Sequence, residues 1–306
     1  MINWITVIGS MNMDMVVQTG HIPKPGETVL GNHFFMNPGG KGANQAIAVS
    51  RLGGKVSFVG KIGNDVFGKQ ARQLFDEEGI ETQFLIEDED TPSGIALITV
   101  DKEGENSIVV APGANSQLSN DDITTYFDKH TLAGILLIQL EIPMHTVQKA
   151  AECAKQNNMY VIVNPAPANE DIQRIYHLID IITPNISEAE ILTGISINNI
   201  YDVKNAASKL VELGVKNVII TLGKDGALIL ENNIFTHVPA PEVEVIDTTA
   251  AGDVFNGALA VYLSQGKCLI DSVNFACRAA SISVTRLGAQ STIPYRSEVL
   301  MNMVGN

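Results

Sequence analysis

The segment Asp247-Thr248-Thr249-Ala250-Ala251-Gly252-Asp253 leads small residues into an apolar stretch, Val254 to Leu263, that reads as a helix. Such an entry exposes unhindered backbone N–H groups carrying the positive end of the helix dipole, a setting that receives developing negative charge. Phosphoryl transfer asks for positioning, charge stabilisation and one acceptor for the proton of the attacking hydroxyl. The N–H groups around Ala250, Ala251, Gly252 and Asp253 suit the stabilising role, and the Asp253 carboxylate suits the accepting one. Read alone, an aspartate at a helix start is also an ordinary N-cap. A helix N-terminus moreover favours the carboxylate, whereas an efficient base needs a pKa near the working pH. That conflict eases if the proton moves late, once the hydroxyl oxygen is already bonding to phosphorus.

The common nucleotide loops are missing. Lys41 follows Gly40 but precedes Gly42 rather than Ser or Thr, and Phe35 stands where a phosphate-binding loop of Walker type needs its first glycine. A dinucleotide loop begun at Gly40 and Gly42 meets Gln45 at its third glycine position, which argues against a Rossmann oxidoreductase.

Two longer patterns remain, about 200 residues apart. The first is Gly39-Gly40-Lys41-Gly42-Ala43-Asn44-Gln45-Ala46 with Gly53 and Gly63 beyond it; the second is Asp247, Ala250, Ala251, Gly252, Asp253 and Gly257. Together they resemble the two signatures of the ribokinase-type (PfkB) carbohydrate kinases, and the likeness runs from Gly9-Ser10-Met11-Asn12-Met13-Asp14 to Gly288-Ala289-Gln290. The resemblance implies an ATP-dependent sugar kinase with Asp253 as base and an anion hole at 250–253. The subfamily pattern it follows implies phosphorylation of ribose to ribose 5-phosphate with release of ADP.

By the same resemblance, Asn12, Asp14, Gly40, Lys41, Asn44 and Glu141 bind the sugar together with Asp253, and the Asn-x-Asp arrangement of Asn12 and Asp14 favours ribose over 2-deoxyribose. Short amides and carboxylates can hydrogen-bond adjacent hydroxyls in fixed directions, as a polyol requires. Individually these residues have plainer readings: a turn at Asn12 and Asp14, a solvated Lys41, a strand end at Glu141. Asn185-Ile186-Ser187-Glu188 resembles the family's Asn-x-x-Glu motif near metal and phosphates, with Glu188 reaching Mg²⁺ through water, and the same spacing makes a capping box. Thr221-Leu222-Gly223-Lys224-Asp225-Gly226 matches the family's nucleotide-binding strand end, with Thr221, Gly223, Lys224 and Gly226 as contacts. Cys277 departs from the His or Asn that commonly lies beside the adenine. Asp247, Thr249, Ser283, Arg286, Gly288 and Thr292 align with a monovalent-cation site for K⁺, many of them through backbone carbonyls in the family. The family further implies a homodimer joined through its lids. Left open are a kinase of this fold acting on 2-deoxyribose, a hexose or a nucleoside, and a catalytically silent sugar-binding relative.

Positioning such residues calls for a layered α/β body. Trp4 to Ile8, Val56 to Val59, Leu136 to Leu140, Tyr160 to Val163, Ile181-Ile182 and Val218 to Thr221 are short apolar runs of the kind that form buried parallel strands. Between them lie helical patterns, the clearest at Val203, Ala206, Ala207, Leu210 and Val211, with Asp202 as N-cap and Gly214 as stop. The expected fold is a doubly wound, mainly parallel sheet flanked by helices, as one domain over 1–306. Two stretches, 15–35 and 95–110, break the alternation. The second holds a hairpin turn at Asp101-Lys102-Glu103-Gly104, and the two form either a small separate β-sheet lid or edge strands of the main sheet.

Composition agrees with a packed enzyme: 45% of residues are apolar and 18% charged. A net charge of −14 disfavours nucleic acid and anionic membranes, and obliges any nucleotide site to supply local N–H groups and cations. The three cysteines form no C-x-x-C pair or zinc-like set, Met1-Ile2-Asn3-Trp4-Ile5 carries no leader-like charge pattern, and no apolar run is long enough to span a bilayer. The expectation is a cytoplasmic protein.

Overall fold

Short, almost wholly apolar runs form the centre of the molecule in a computed structural model that describes residues 4–130 and 133–304. Met1–Asn3, part of the N-terminal segment read for a leader, lie outside the described residues. In chain order the strands are β1 Trp4–Ile8, β2 Asn12–Gln18, β3 His33–Gly39, β4 Val56–Gly63, β5 Glu81–Asp88, β6 Gly94–Val100, β7 Asn106–Ala111, β8 Gly134–Ile138, β9 Tyr160–Val163, β10 Ile181–Ile182, β11 Asn217–Thr221, β12 Ala227–Glu231 and β13 Ile234–Val238. The helices are α1 Lys41–Arg51, α2 Val66–Glu77, α3 Asn120–Lys129, α4 Met144–Gln156, α5 Ile186–Thr193, α6 Ile200–Glu212, α7 Ala251–Ser264, α8 Leu269–Ser283 and α9 Arg296–Val304.

The large sheet has the order β13-β12-β11-β10-β9-β8-β1-β4-β5, parallel except that β12 runs antiparallel to its neighbours β11 and β13. Successive side chains of a strand point to opposite faces, so a strand covered on both faces is apolar throughout. Strand β8 shows it: Ile135 and Leu137 enter the core under α1, α2, α7 and α8, while Leu136 and Ile138 enter the core under α3, α4 and α6. The strand order reverses beside β1, which pairs with β4 on one side and β8 on the other. Crevices at the carboxyl ends of strands near such a reversal are where open α/β sheets bind ligands.

The second sheet is separate, with order β3-β2-β6-β7, so the two stretches that broke the alternation form a lid and not edge strands of the main sheet. Its strands extend past the predicted limits: β2 begins at Asn12 and β3 ends at Gly39, which places Asn12 and Asp14 on a lid strand. Asp101 Oδ1 accepts from the N–H groups of Glu103 and Glu105 and closes the predicted turn between β6 and β7. Three local expectations need correcting. Strand β8 ends at Ile138, so Gln139 and Leu140 lie beyond it. Helix α6 is capped by Asn199, whose side chain accepts from Tyr201 and Asp202 N–H, so Asp202 lies in the first turn instead. Helix α7 begins at Ala251, so Asp253 is its third residue; the cap position belongs to Ala250, in the left-handed region at φ 60°.

Candidate active site

Four chain segments converge on Asp253. Helix α7 packs against α1 where Gly257 faces Ala48; a Cβ at Gly257 would lie 2.6 Å from the Ala48 Cβ, so the glycine permits the approach. That approach carries Asp253 to Asn44 and Gln45. Asn44 Nδ2 donates to Asp253 Oδ2 at 2.9 Å, and Gln45 Nε2 donates to Oδ1 at 3.0 Å. Asp253 is buried, at 6% exposure, and its carboxylate is spent on these contacts with no capping bond of its own. Burial pushes the Asp253 carboxyl up, while Lys41, Asn44 and Gln45 pull it back and Glu141 adds a further upward push. Desolvation thus opposes the helix-start effect that would make this carboxyl weakly basic.

The first turn of α1 brings the remaining polar groups. Glu141, just past β8, accepts from Lys41 N–H at 3.0 Å and from Ser10 Oγ at 2.5 Å. On the lid strand, Asp14 lies against Gly39, where a Cβ would sit 2.2 Å from Asp14 Oδ2; the missing side chain makes room for the carboxylate. Asn12 Oδ1 accepts from Asn115 Nδ2 at 2.9 Å. Burial raises the Asp14 carboxyl to about 6, with help from Glu141 and Asp253 and against Lys41. For Lys41, burial alone would lower the ammonium, but Asp253, Glu141, Glu188 and Asp14 together hold it above its ordinary value. Asn44 Oδ1 is buried with no protein partner among the described residues. A buried acceptor left unmatched is costly unless a ligand donor meets it, and a hydroxyl is such a donor.

The other side of α7 borders a cavity of about 650 Å³, lined by Thr221, Gly223, Lys224, Gly226, Ala251, Gly252 and Cys277 among others. Its walls mix glycine backbone with Val243, Val245, Phe255 and Ala280. Burial pushes the Cys277 thiol up to about 12, so it is a neutral wall group. At the α7 entry, Ala251 N–H is taken by the Thr248 carbonyl at 3.2 Å. The N–H groups of Ala250, Gly252 and Asp253 meet no acceptor among the described residues. These three donors are left unpaired at a helix N-terminus, between a carboxylate and the cavity, a setting that favours an anion.

A family model, the pfkB family carbohydrate kinase, matches residues 3–296. The chain belongs to that family. It is 43% identical over 296 residues to ribokinase of Haemophilus influenzae, covering 97% of each protein. Its fold matches the crystal structure of ribokinase from Thermotoga maritima with a TM-score of 0.90, at 43% identity over 99% of this chain and 100% of the other. The structure of Arabidopsis thaliana ribokinase complexed with ribose and ATP matches with a TM-score of 0.88 at 32% identity, covering 98% of each chain.

The first pfkB signature lies mainly on α1 and the second at the entry of α7, but the residues expected to hold a monovalent cation are only partly gathered. Asp247 joins the two segments concerned, with Oδ1 accepting from the N–H and Oγ1 of Thr249 and Oδ2 from Gly288 N–H at 2.9 Å. The Ser283 and Thr292 hydroxyls donate to the carbonyls of Ala280 and Ala289. Arg286 pairs with Glu298. A guanidinium cannot ligate a cation, so Arg286 could serve K⁺ only through its carbonyl oxygen. Asn185 and Glu188 form a full capping box, each side chain bonding the other's N–H at 2.8 Å. One Glu188 oxygen is thereby engaged, which leaves the other to serve a magnesium ion directly or through a retained water. Among the described residues, no group of three or more His, Cys, Asp or Glu side chains is arranged to hold a metal.

Sequence reasoning missed several contributors. Gln45 lies inside the first signature without an assigned role, Ser10 lies only within the stretch that carries the family likeness, and Gln139 falls in the strand expected over Leu136 to Leu140. The cavity walls at Ala240–Val245 come from a loop with no periodicity. Their roles depend on spatial neighbours, which the residue types do not announce.

Proposed function

We propose that the chain transfers the γ-phosphoryl group of ATP to the 5-hydroxyl of D-ribose, yielding ribose 5-phosphate and ADP. The observation that carries this reading is the position of Asp253: its carboxylate, held by Asn44 and Gln45, faces the polar group of Asp14, Lys41 and Glu141, while its helix entry opens on the cavity. Asp253 takes the proton of the 5-hydroxyl as that oxygen's electron pair forms the bond to the γ-phosphorus. The bond from the γ-phosphorus to the β,γ-bridging oxygen breaks, and its electron pair leaves on ADP. The N–H groups of Ala250, Gly252 and Asp253 stabilise charge on the transferring group, beside Ala251. Asn12, Asp14, Gly40, Lys41, Asn44 and Glu141 hold the sugar, with Asn44 Oδ1 accepting from a hydroxyl. Thr221, Gly223, Lys224, Gly226, Gly252 and Cys277 border the nucleotide, with Asn185 near its phosphates.

Glu188 would hold Mg²⁺ through water, where the ion would neutralise phosphate charge, and Asp247, Thr249, Ser283, Arg286, Gly288 and Thr292 would hold K⁺, which would tune the anion site. The chain works as one kinase unit over 1–306. On the lid face opposite Asp14, cross-strand neighbours Phe34, Met36, Leu97 and Val109 are 46–64% exposed, an apolar face suited to pairing with the lid of a second copy. No helix among the described residues is long and apolar enough to cross a membrane, and the three cysteines are unpaired, which supports a cytoplasmic setting.

ADP release measured across ribose, 2-deoxyribose, fructose and adenosine, with and without K⁺, tests the reading. Ribose is expected to give the highest kcat/KM, with K⁺ raising the rate; a clear preference for another acceptor overturns the assignment to ribose.

A further inference from the structure

Asp253 sits at the end of a buried chain of amides. Gln45 Nε2 donates to Asp253 Oδ1 at 3.0 Å and to Asn164 Oδ1 at 3.0 Å, while Gln45 Oε1 accepts from Gln139 Nε2 at 2.6 Å. Gln45 and Gln139 are fully buried and Asn164 is 6% exposed. A carboxylate can only accept, so Gln45 must turn its NH₂ group toward Asp253. Its oxygen then faces Gln139, which must answer with its own NH₂ group. Every amide orientation is thus dictated outward from the carboxylate. Neither Gln139 nor Asn164 donates to Asp253 in this arrangement, so they act on it through Gln45.

We propose that Gln45 is a positioning residue for phosphoryl transfer: it fixes the rotation of the Asp253 carboxylate and keeps it deprotonated, and Gln139 and Asn164 lock Gln45 in the orientation that does so. The physical reason is the competition inside a desolvated site. A donor aimed at Oδ1 stabilises the ionised carboxylate and resists a proton on that lone pair, so the proton from the hydroxyl is directed to a lone pair facing the sugar. Asn44 performs the matching task on Oδ2 but also offers an unmatched oxygen to substrate. Gln45 has every hydrogen-bonding group occupied by protein, and so acts through Asp253 alone.

The inference rests on Asp253 being the base, and the experiment separates the two. Gln45→Met and Gln139→Met keep side-chain length while removing the donor to Asp253 or the lock behind it. With Asp253→Asn alongside, each variant is assayed for kcat, ribose KM, kcat/KM from about pH 5 to about pH 9, and Tm. The charged groups facing Asp253 are Lys41 on α1, Glu141 after β8, Asp14 on the lid and Glu188 on α5, and all are retained in the glutamine variants. Gln45→Met is expected to lower kcat about 10- to 100-fold, the range of a lost hydrogen bond to a charged group, with a smaller change in KM. Its acid limb should move up by about one pH unit. Gln139→Met, one bond further away, is expected to move kcat and the acid limb the same way by less. If Gln45→Met does not fold, the Gln139→Met profile decides. An unmoved acid limb in whichever variant folds overturns the proposal, as does a loss confined to Tm. Near-normal turnover in Asp253→Asn overturns the reading of Asp253 itself.

Discussion

The two sides of α7 offer a ligand different chemistry. On one side Asp14, Lys41, Glu141 and Asp253 crowd charged side chains into a partly or fully buried space, and their neighbours shift the ionisation of Asp14, Lys41 and Asp253. On the other, a cavity is walled by glycine backbone, Val243, Val245, Phe255 and a neutral Cys277. A polyol offers hydroxyls in several directions and is told from its relatives by side-chain hydrogen bonds, whereas a nucleotide offers phosphates that backbone N–H groups receive whatever the side chain. The first side should therefore be sensitive to conservative substitutions and the second tolerant of them.

The strongest way to break this contrast is Asp253→Asn. An amide cannot take the proton and offers one acceptor oxygen where Asn44 and Gln45 supply two donors. The expected fall in kcat is about 100-fold or more with little change in ribose KM. Steady-state kinetics in which KM carries the loss would make Asp253 a binding group instead.

Asp14→Asn sharpens the contrast with a sign opposite to most substitutions. The folded protein holds this carboxyl near 6, against an ordinary value of 3.8, so between those pH values it binds a proton that the unfolded chain has released. Stability contributed by the protonated form is complete below the unfolded value and is lost as pH rises through about 6, leaving an ionised, crowded carboxylate at pH 7. The amide should raise stability at pH 7 by about 2 kcal/mol and abolish this pH dependence, while raising ribose KM about 10-fold. Thermal unfolding at pH 5 and pH 7 with sugar kinetics checks both; a variant less stable at pH 7 refutes the crowding account.

The smallest effect is expected on the tolerant side. Cys277→Ala removes a neutral wall group, so ATP KM should stay within about threefold and kcat should be unchanged. A larger change in ATP titrations would show that the thiol makes a specific contact.

The parallel strands were legible because burial on both faces writes itself as continuous apolar runs, and Trp4–Ile8 and Tyr160–Val163 need no neighbour to be recognised. The lid was harder: composition alone left its strands free to join either sheet, and strand pairing between segments about 80 residues apart decided it. Among site residues, those in signatures were visible as a set, but Asp253 by itself suggests a cap. The structure gives the cap position to Ala250 and spends the carboxylate on Asn44 and Gln45.

By itself, then, the sequence determined the kinds of groups present at the α7 entry: small residues that leave N–H donors unhindered, followed by a carboxylate. What the tertiary structure decided is their chemistry. Proton affinity depends on desolvation and on charges brought near from α1, β2 and the turn after β8, and no local stretch of chain contains that information. The same holds for Gln45, whose amide is an ordinary buried side chain until Asp253, 208 residues away, accepts its hydrogen bond.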